Sequence, residues 1–301
     1  NQENSFFFVN LEAELLQLQE ELQNLTYAPQ PYRYFQIYDP KERTISVAAF
    51  RDRVVHHALV NVLEPIYEKR FIHDSYATRK GKGTHAAILK AQKMLREHSW
   101  FLKSDVDKYF ESISQERLLA ILAHKIKDKQ LLDITARIIR NGGSQGYGLP
   151  IGNLTSQFFA NVYLNELDSF VKKELKVKRY IRYMDDFVLF APNKQVLKIQ
   201  LQAIQQFLVT DLELRLKSSA TFVNQASNGL TFLGKRIYPQ MIRLARPNLV
   251  RMLRRMSIRE QEWKQGEINE ETYLDSMNSY WACLSFGDTF GLRSNLASST
   301  H

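Results

Sequence analysis

The sequence predicts an α+β chain in which a mixed strand-and-helix region is bracketed by two helical ones. Three observations predict it. Leu11, Leu15, Leu18, Leu22 and Leu25 recur at helical spacing near the N-terminus. FLKSD (101–105) and YIRYMDDFVLF (180–190) read as apolar strands, the first ending in a carboxylate and the second folded around a tight acidic turn. From Arg243 onward the pattern turns helical again and opens with an arginine run.

Taken in order, the leucine stripe gives a packed amphipathic helix with Asn10 as N-cap and Glu12 and Glu14 in its first turn. The stripe ends after two heptads, too few for a coiled-coil seam. TYAPQPYRYFQIYDPKERTISV is extended and Pro- and Tyr-rich, with strands in it. RDRVVHHALVNVLEPIYEKRF is a helix on which His56 and His57, being adjacent, face different directions and do not make a metal pair. THAAILKAQKMLREH is another helix, with Thr84 as its cap. After the strand at 100–105 come helices near 115–126 and 129–140 and an NGG turn at 141–143. GLPIGNLTSQ (148–157) is a kinked, glycine-containing loop leading into a helix whose buried stripe is Phe159, Tyr163, Leu167 and Phe170. KQVLKIQLQAIQQFLV is a helix, and two or three strands follow to about Tyr238.

An apolar fraction of 44% and an aromatic fraction of 12% describe an ordered globular protein. The lone Cys283 excludes a disulfide framework and a cysteine-based zinc site. With no long apolar run and no basic-then-apolar leader, a cytoplasmic protein without membrane contact is expected. The chain begins at Asn1, not methionine, so a short native N-terminal piece is expected to precede it. A net charge of +9 suits an anionic partner. Its distribution says more: RKGK spans 79–82, and Arg243 to Arg259 holds six arginines and no acid. Two separate basic segments fit a long polyanion or two phosphate sites.

YMDD, Tyr183 to Asp186, is the sharpest local signal. Adjacent carboxylates in a half-buried hairpin call for a cation, and Mg²⁺ tolerates one or two carboxylates with phosphate oxygens; a solvated hairpin tip is the competing reading. Strand period 2 puts Asp105 and Asp107 on one face, and a strand-end Asp105 beside the hairpin makes a cage for two metal ions. Asp107 reads as an exposed neighbour and stays outside the catalytic set. RKGKGT lacks the spacing of a P-loop, yet its glycines and charges suit a phosphodiester backbone, which favours template contact by Arg79, Lys80 and Lys82 over a solvated loop.

The blocks PKERTIS, FRDRVVHHAL…RKGKGTHAA, FLKSDVDKYF, GLPIGNLTSQ, YMDD, LELRLKSS and GLTFLG occur together and in order. In this the chain, from about Tyr32 to its end, resembles reverse transcriptases. The resemblance implies a right-hand polymerase: an N-terminal helix and fingers over 1–98, a palm of antiparallel sheet plus helices over 99–240 with a helical fingers segment at about 115–145, and a helical thumb over 241–301. It implies that Asp105, Asp185 and Asp186 are catalytic and, with the backbone carbonyl of Val106, hold two Mg²⁺ ions, for which Mn²⁺ can substitute. Phe110 matches the side chain under the incoming sugar that selects dNTPs. Arg43 matches the arginine over the incoming base, with Lys41 as a second phosphate contact. Lys217 matches the lysine that protonates pyrophosphate, although LELRLKSS departs from the family's usual Asn-x-Lys-Lys. Gly234 lies in the primer-grip hairpin. Gly152, Asn153, Tyr183 and Met184 fall where template and primer pass. Arg251, Arg254, Arg255 and Arg259, spaced along one helix face, track the duplex.

Group II intron and retron enzymes usually carry Pro-Gln-Gly and then Ser-Pro in the loop. Here it reads Pro150-Ile151-Gly152 and then Ser156-Gln157, which, with SYWACLSFGDTFGLR, resembles reverse transcriptases of diversity-generating retroelements. That resemblance implies error-prone cDNA synthesis at template adenines, with Ile151 and Gln157 at the nucleotide. It also implies a basic, pentameric accessory variability protein as partner besides template RNA, primer or cDNA strand and dNTPs, and a prokaryotic or phage origin. Ile151 is where a glutamine would donate hydrogen bonds and cannot; packing below the loop is its alternative role. No RNase H, endonuclease or maturase extension is expected after the thumb region, so partners are expected to supply RNA handling and targeting. Another prokaryotic reverse transcriptase (retron-like or antiphage), an RNA-copying RNA polymerase and a catalytically idle RNA-binding scaffold are the competing readings. IGNLTSQ, Phe110 and the three retained aspartates argue against them in turn.

Overall fold

A computed structural model of the chain describes residues 2–38 and 41–298. Helices α1 (Gln2–Val9) and α2 (Leu11–Gln23) lead to an antiparallel hairpin, β1 (Arg33–Ile37) and β2 (Arg43–Val47). Asn10 does not cap α2 with its side chain, and the leucine stripe is only partly packed: Leu18 is buried, whereas Leu11, Leu15 and Leu16 stay exposed. In α3 (Phe50–Glu68), Val55, Leu59, Leu63 and Tyr67, four apart, form the buried edge. Glycine supplies the entry to α4 (Thr84–Glu97): Gly83, at φ 101, takes the cap position expected of Thr84, whose hydroxyl donates instead to Tyr183 Oη at 3.2 Å.

Then follow β3 (Trp100–Asp105), the short α5 (Tyr109–Ser112), α6 (Gln115–Ala123), α7 (Lys129–Arg140) and α8 (Leu154–Ser169). The last runs on as a π turn over Phe170–Glu174, where Phe170 is half-buried and stacks on Phe207 at 4.3 Å. Strands β4 (Tyr180–Tyr183) and β5 (Asp186–Ala191), helix α9 (Lys194–Leu212) and β6 (Phe222–Gln225) complete the central part. A three-stranded antiparallel meander, β7 (Leu230–Phe232), β8 (Lys235–Ile237) and β9 (Ile242–Leu244), carries the strands beyond Tyr238, where the sequence pattern had ended them. Three helices follow: α10 (Arg246–Lys264), α11 (Glu270–Ser285) and α12 (Phe290–Ser298).

The central sheet is antiparallel with strand order β4-β5-β3-β6. Leu102, Tyr180, Phe187 and Leu189 point into one core with α3, α8 and α9. Phe101, Ile181, Val188 and Phe190 point into a second core with α4 and the meander. Because both faces are covered, the strands read as continuous apolar runs. The sheet's alternation ends at Asp105. Val106 only bridges Leu216, and the chain turns at Lys108, whose φ is 42. Asp107 is therefore exposed in a turn and does not share a strand face with Asp105. Among the described residues no helix is long and apolar enough to cross a membrane.

Candidate active site and nucleic-acid interface

The carboxylates meet at one end of the sheet. Asp105, the last residue of β3, pairs directly with Asp186, the first of β5. Met184 and Asp185 form the two-residue turn between β4 and β5, with Met184 at φ 57. Such a turn favours glycine at a positive φ, so Met184 holds a strained conformation. Arg182 supports it from below by donating from Nη1 to the Met184 carbonyl at 2.9 Å. The same guanidinium donates to both oxygens of Asp168 (2.8 and 2.6 Å) and to Asn161 Oδ1 (3.0 Å), and Tyr180 Oη donates to Asp168 Oδ1 at 2.8 Å.

Burial, and then the neighbouring Asp105, push the Asp185 carboxyl up to about 7. Burial likewise raises Asp186 to about 6, against the pull of Lys103, whose Nζ lies 3.0 Å from Asp186 Oδ1. That oxygen is buried and makes no well-directed hydrogen bond, so the ion pair leaves it coordinatively open. Hydrogen bonds from Asp107 N to Arg215 O and from Lys217 N to Asp105 O flank Val106. In this antiparallel arrangement the Val106 carbonyl is directed away from Leu216, toward the β5 side. Hard oxygens, mutual repulsion and an open buried Oδ1 fit a divalent cation. Among the described residues, however, no three His, Cys, Asp or Glu side chains already converge as a finished cage.

The loop at 148–157 is fastened by three hydrogen bonds, one to α5 and two to β2. Leu149 N donates to Phe110 O at 2.7 Å, Ser46 N of β2 donates to Ile151 O at 2.8 Å, and Asn153 Nδ2 donates to Ser46 O at 3.0 Å. Gly152 has φ +113, and a Cβ there would lie 2.8 Å from Ile45 Cγ2 and 3.1 Å from Ser46 O. The structure gives Gly152 and Asn153 tasks other than the template contact expected of them: the bare backbone of Gly152 is needed for the close approach of β2, and the buried Asn153 amide is spent on that strand. The Ile151 side chain is half-buried and, with Arg43, Tyr34, Glu111 and Leu149, lines a cavity of about 530 Å³. Phe110 is half-buried beside Tyr109. Arg43 and Lys41 are exposed.

The RKGK loop also departs from expectation. Arg79 is turned inward, with its Nε and Nη2 on Glu68 and its Nη1 on the carbonyls of Ile72 and Ser75. Its donors are consumed in holding the loop, so it is a structural residue and not a template contact. Lys82 Nζ is on His73 O at 2.9 Å, whereas Lys80 is exposed, 3.6 Å from Glu64. Gln157 is exposed and accepts from Thr78 Oγ1 at 3.4 Å. Tyr183 reaches toward α4 through its hydroxyl, as Thr84 showed, and Lys217 is half-buried with its backbone tied to Asp105.

Gly234, φ +79, sits in the β7–β8 turn, where its carbonyl accepts from Ala245 N and Asn248 Nδ2, and a Cβ would lie 2.6 Å from that amide. On α10, Arg254 and Arg255 are exposed, Arg251 is half-buried, and Arg259 pairs with Glu262 at 2.8 Å.

Four positioning residues escaped the sequence reading. Arg182 and Asp168 support the aspartate turn, and Lys103 offsets Asp186. Gln115, buried, donates from Nε2 to the carbonyls of Ile139, Gly142 and Gly148, which clamps the approach to the loop. Arg182 carried a usable signal: a guanidinium inside an apolar strand covered on both faces requires a buried carboxylate.

The chain matches a family model described as reverse transcriptase (RNA-dependent DNA polymerase) over residues 38–237, about two thirds of its length. It is 27% identical to Protein YkfC of Escherichia coli (strain K12), over 75% of this chain and 72% of that one. It is 29% identical to the group II intron-encoded protein LtrA of Lactococcus lactis subsp. cremoris, over 56% of this chain but only 29% of LtrA. Among solved structures, apo telomerase from Candida tropicalis superimposes with a TM-score of 0.56 at 12% identity, covering 80% of this chain and 55% of that one. Telomerase from Candida albicans gives a TM-score of 0.55 at 13% identity, over 84% and 53%. The telomerase likeness is one of fold: an antiparallel palm-type sheet carrying helices.

Proposed function

The chain belongs to the reverse transcriptase (RNA-dependent DNA polymerase) family, and from that premise we propose that it copies the template-repeat RNA of a diversity-generating retroelement into adenine-mutated cDNA. Asp105, Asp185, Asp186 and the Val106 carbonyl would hold two Mg²⁺ ions. When bound, these activate the primer 3′-oxygen and neutralise the leaving pyrophosphate in an in-line displacement. The protein's own part is positional. Arg182 fixes the Met184–Asp185 turn, Phe110 excludes a 2′-hydroxyl, and Lys41 and Arg43 meet the triphosphate. Lys217 is the candidate acid for pyrophosphate, and Lys80 and the α10 arginines contact template and duplex.

One observation carries the error-prone reading: Ile151 and Arg43 line the same cavity, and the loop bearing Ile151 is bonded to the strand bearing Arg43. A β-branched hydrocarbon there supplies no hydrogen bond to a correctly paired nucleotide. One lost polar contact is worth about 0.5–1.5 kcal/mol, or up to about tenfold in discrimination. The exposed Leu11, Leu15 and Leu16 on α2, among glutamates and with no basic side chain, suit the small basic accessory protein. The test is misincorporation opposite template adenine by Ile151→Gln. A several-fold drop confined to adenine is expected; an unchanged error spectrum for both Ile151→Gln and Arg43→Ala removes the error-prone reading. Asp185→Ala is expected to abolish extension, and an Asp185→Ala protein that still extends a primer removes the polymerase assignment of this site.

A further inference from the structure

The helices that follow the meander stand on two adjacent residues. Gly234, in the β7–β8 turn, takes the start of α10: its carbonyl accepts from Ala245 N at 3.0 Å and from Asn248 Nδ2 at 3.2 Å. Lys235, the first residue of β8, takes the end of α11: its Nζ donates to the carbonyls of Cys283 at 3.0 Å and Phe286 at 2.9 Å. The two helices thus form a hairpin with both feet at one turn. Trp263 stacks on Tyr273 at 4.7 Å to close its far end.

Lys235 is 6% exposed, and among the described residues no carboxylate pairs with it. A lysine so buried needs partners for its charge. The end of α11 supplies them, because its last carbonyls have no intrahelical donor and carry the negative end of the helix dipole. The Phe286 ring adds to this, with its centroid 5.3 Å from Nζ. The same ring stacks on His85, near the start of α4, at 3.8 Å and 12°.

A second clasp attaches the chain just beyond α11 to β9 without the lysine. Ile242 N donates to Asp288 Oδ2 at 2.7 Å, and Asp288 N donates to Ile242 O at 2.8 Å. Attachment is therefore secured elsewhere, and Lys235 adds direction. The arginines of α10 stand about 8–20 Å from its foot. A tilt of about 10° there moves them by about 1.5–3.5 Å, enough to break a hydrogen bond at the outer ones.

We infer that Lys235, braced by Phe286, is a positioning residue for the bound duplex: it sets the angle at which the α10–α11 hairpin stands on the Gly234 turn, and so how long the copied duplex is held. The inference rests on the proposed reading of that turn and of the α10 arginines as contacts to primer and duplex.

The experiment measures, by fluorescence anisotropy against unlabelled competitor, how fast a labelled DNA primer on an RNA template leaves the protein. This rate is read from bound molecules alone, so a smaller folded fraction does not change it, and loosened contacts appear in it first. Lys235→Met is expected to speed dissociation by about fivefold or more, and Phe286→Leu by about threefold. First-nucleotide incorporation with saturating duplex and dNTP should stay within about twofold of wild type in both. Wild-type dissociation in both variants, with only the bound amplitude or the melting temperature lowered, shows that the lysine acts on stability alone and overturns the inference. A fall in first-nucleotide rate as large as the change in dissociation places its influence on the aspartates and also overturns it. Should Lys235→Met not fold, Phe286→Leu, which keeps the lysine and an apolar side chain, decides by the same two rates. Arg254→Ala/Arg255→Ala separates the two levels. Wild-type dissociation in that variant removes the duplex reading of α10 and the inference with it; faster dissociation there beside wild-type rates in Lys235→Met and Phe286→Leu removes the inference alone.

Discussion

Arg182 and Asp168 form a bidentate ion pair with both side chains fully buried, and Arg182 passes that constraint to the Met184 carbonyl at the catalytic turn. Removing one member leaves a buried charge uncompensated, which is worth about 3–5 kcal/mol. Asp168→Ala is therefore expected to lower the denaturant midpoint strongly. Arg182→Met/Asp168→Leu, which removes both charges, should recover much of the stability while extension stays impaired, because Met184 has lost its donor. Full recovery of activity in the double variant would show that the pair acts only on stability.

Lys103 lies on β3 two residues before Asp105, and its ammonium faces Asp186. It holds the Asp186 carboxyl below the value that burial alone would give. Lys103→Met should raise that carboxyl further and move the acid limb of metal-dependent extension to higher pH. Without metal, the Asp185 and Asp186 carboxyls have folded values of about 7 and 6, above the ordinary carboxylate value. The stability they contribute is fully present below about pH 4, where the unfolded carboxyls are also protonated, and is lost as pH rises from there through the folded values of about 6 and 7. Added Mg²⁺ should thus raise the melting temperature more at pH 8 than at pH 5.5. Equal shifts at both pH values, or an unmoved acid limb in Lys103→Met, would contradict this electrostatic account.

The aspartates and their strands were legible because each signal is local: an apolar run, a two-residue acidic turn, a carboxylate at a strand end. What supports them was not, because Gln115 reaches Gly148 and Arg182 reaches Asp168 only after the chain has folded. Arg79 shows the opposite error. A cation in a glycine-containing loop resembles a phosphate contact until Glu68, at the end of α3, is seen to occupy it. Similarly, the glycine and asparagine of GLPIGNLTSQ suggested bare backbone for a template. Only the register of β2 against Ile151 reveals that the close neighbour is protein.

That register makes Gly152 sensitive. Alanine there combines φ +113 with a Cβ 2.8 Å from Ile45 Cγ2, a conformation that disfavours a side chain by about 1–3 kcal/mol. Gly152→Ala should lower the melting temperature and, by shifting β2 and Arg43, raise KM for dNTP more than it lowers kcat. A drop in kcat alone at unchanged KM would place the loop's influence on the aspartates instead of on the nucleotide.

His56 gives a pH dependence of opposite sign. It is 2% exposed on α3, and neither ring nitrogen has a partner. Burial, with a smaller push from His57, lowers it to about 4. The unfolded chain takes up this proton near pH 6.5 while the folded one resists until about 4, so stability is lost as pH falls through that window, by roughly 1.4 kcal/mol per unit. Asp185 and Asp186 gain stability as pH falls over the same range, which masks the effect in the wild type. In an Asp185→Asn/Asp186→Asn background stability should fall as pH drops below 6.5, and adding His56→Leu should flatten that slope while leaving stability at pH 7.5 equal or higher. Identical slopes with and without His56→Leu would mean that the imidazole finds a proton acceptor when it charges and is not held neutral by its surroundings.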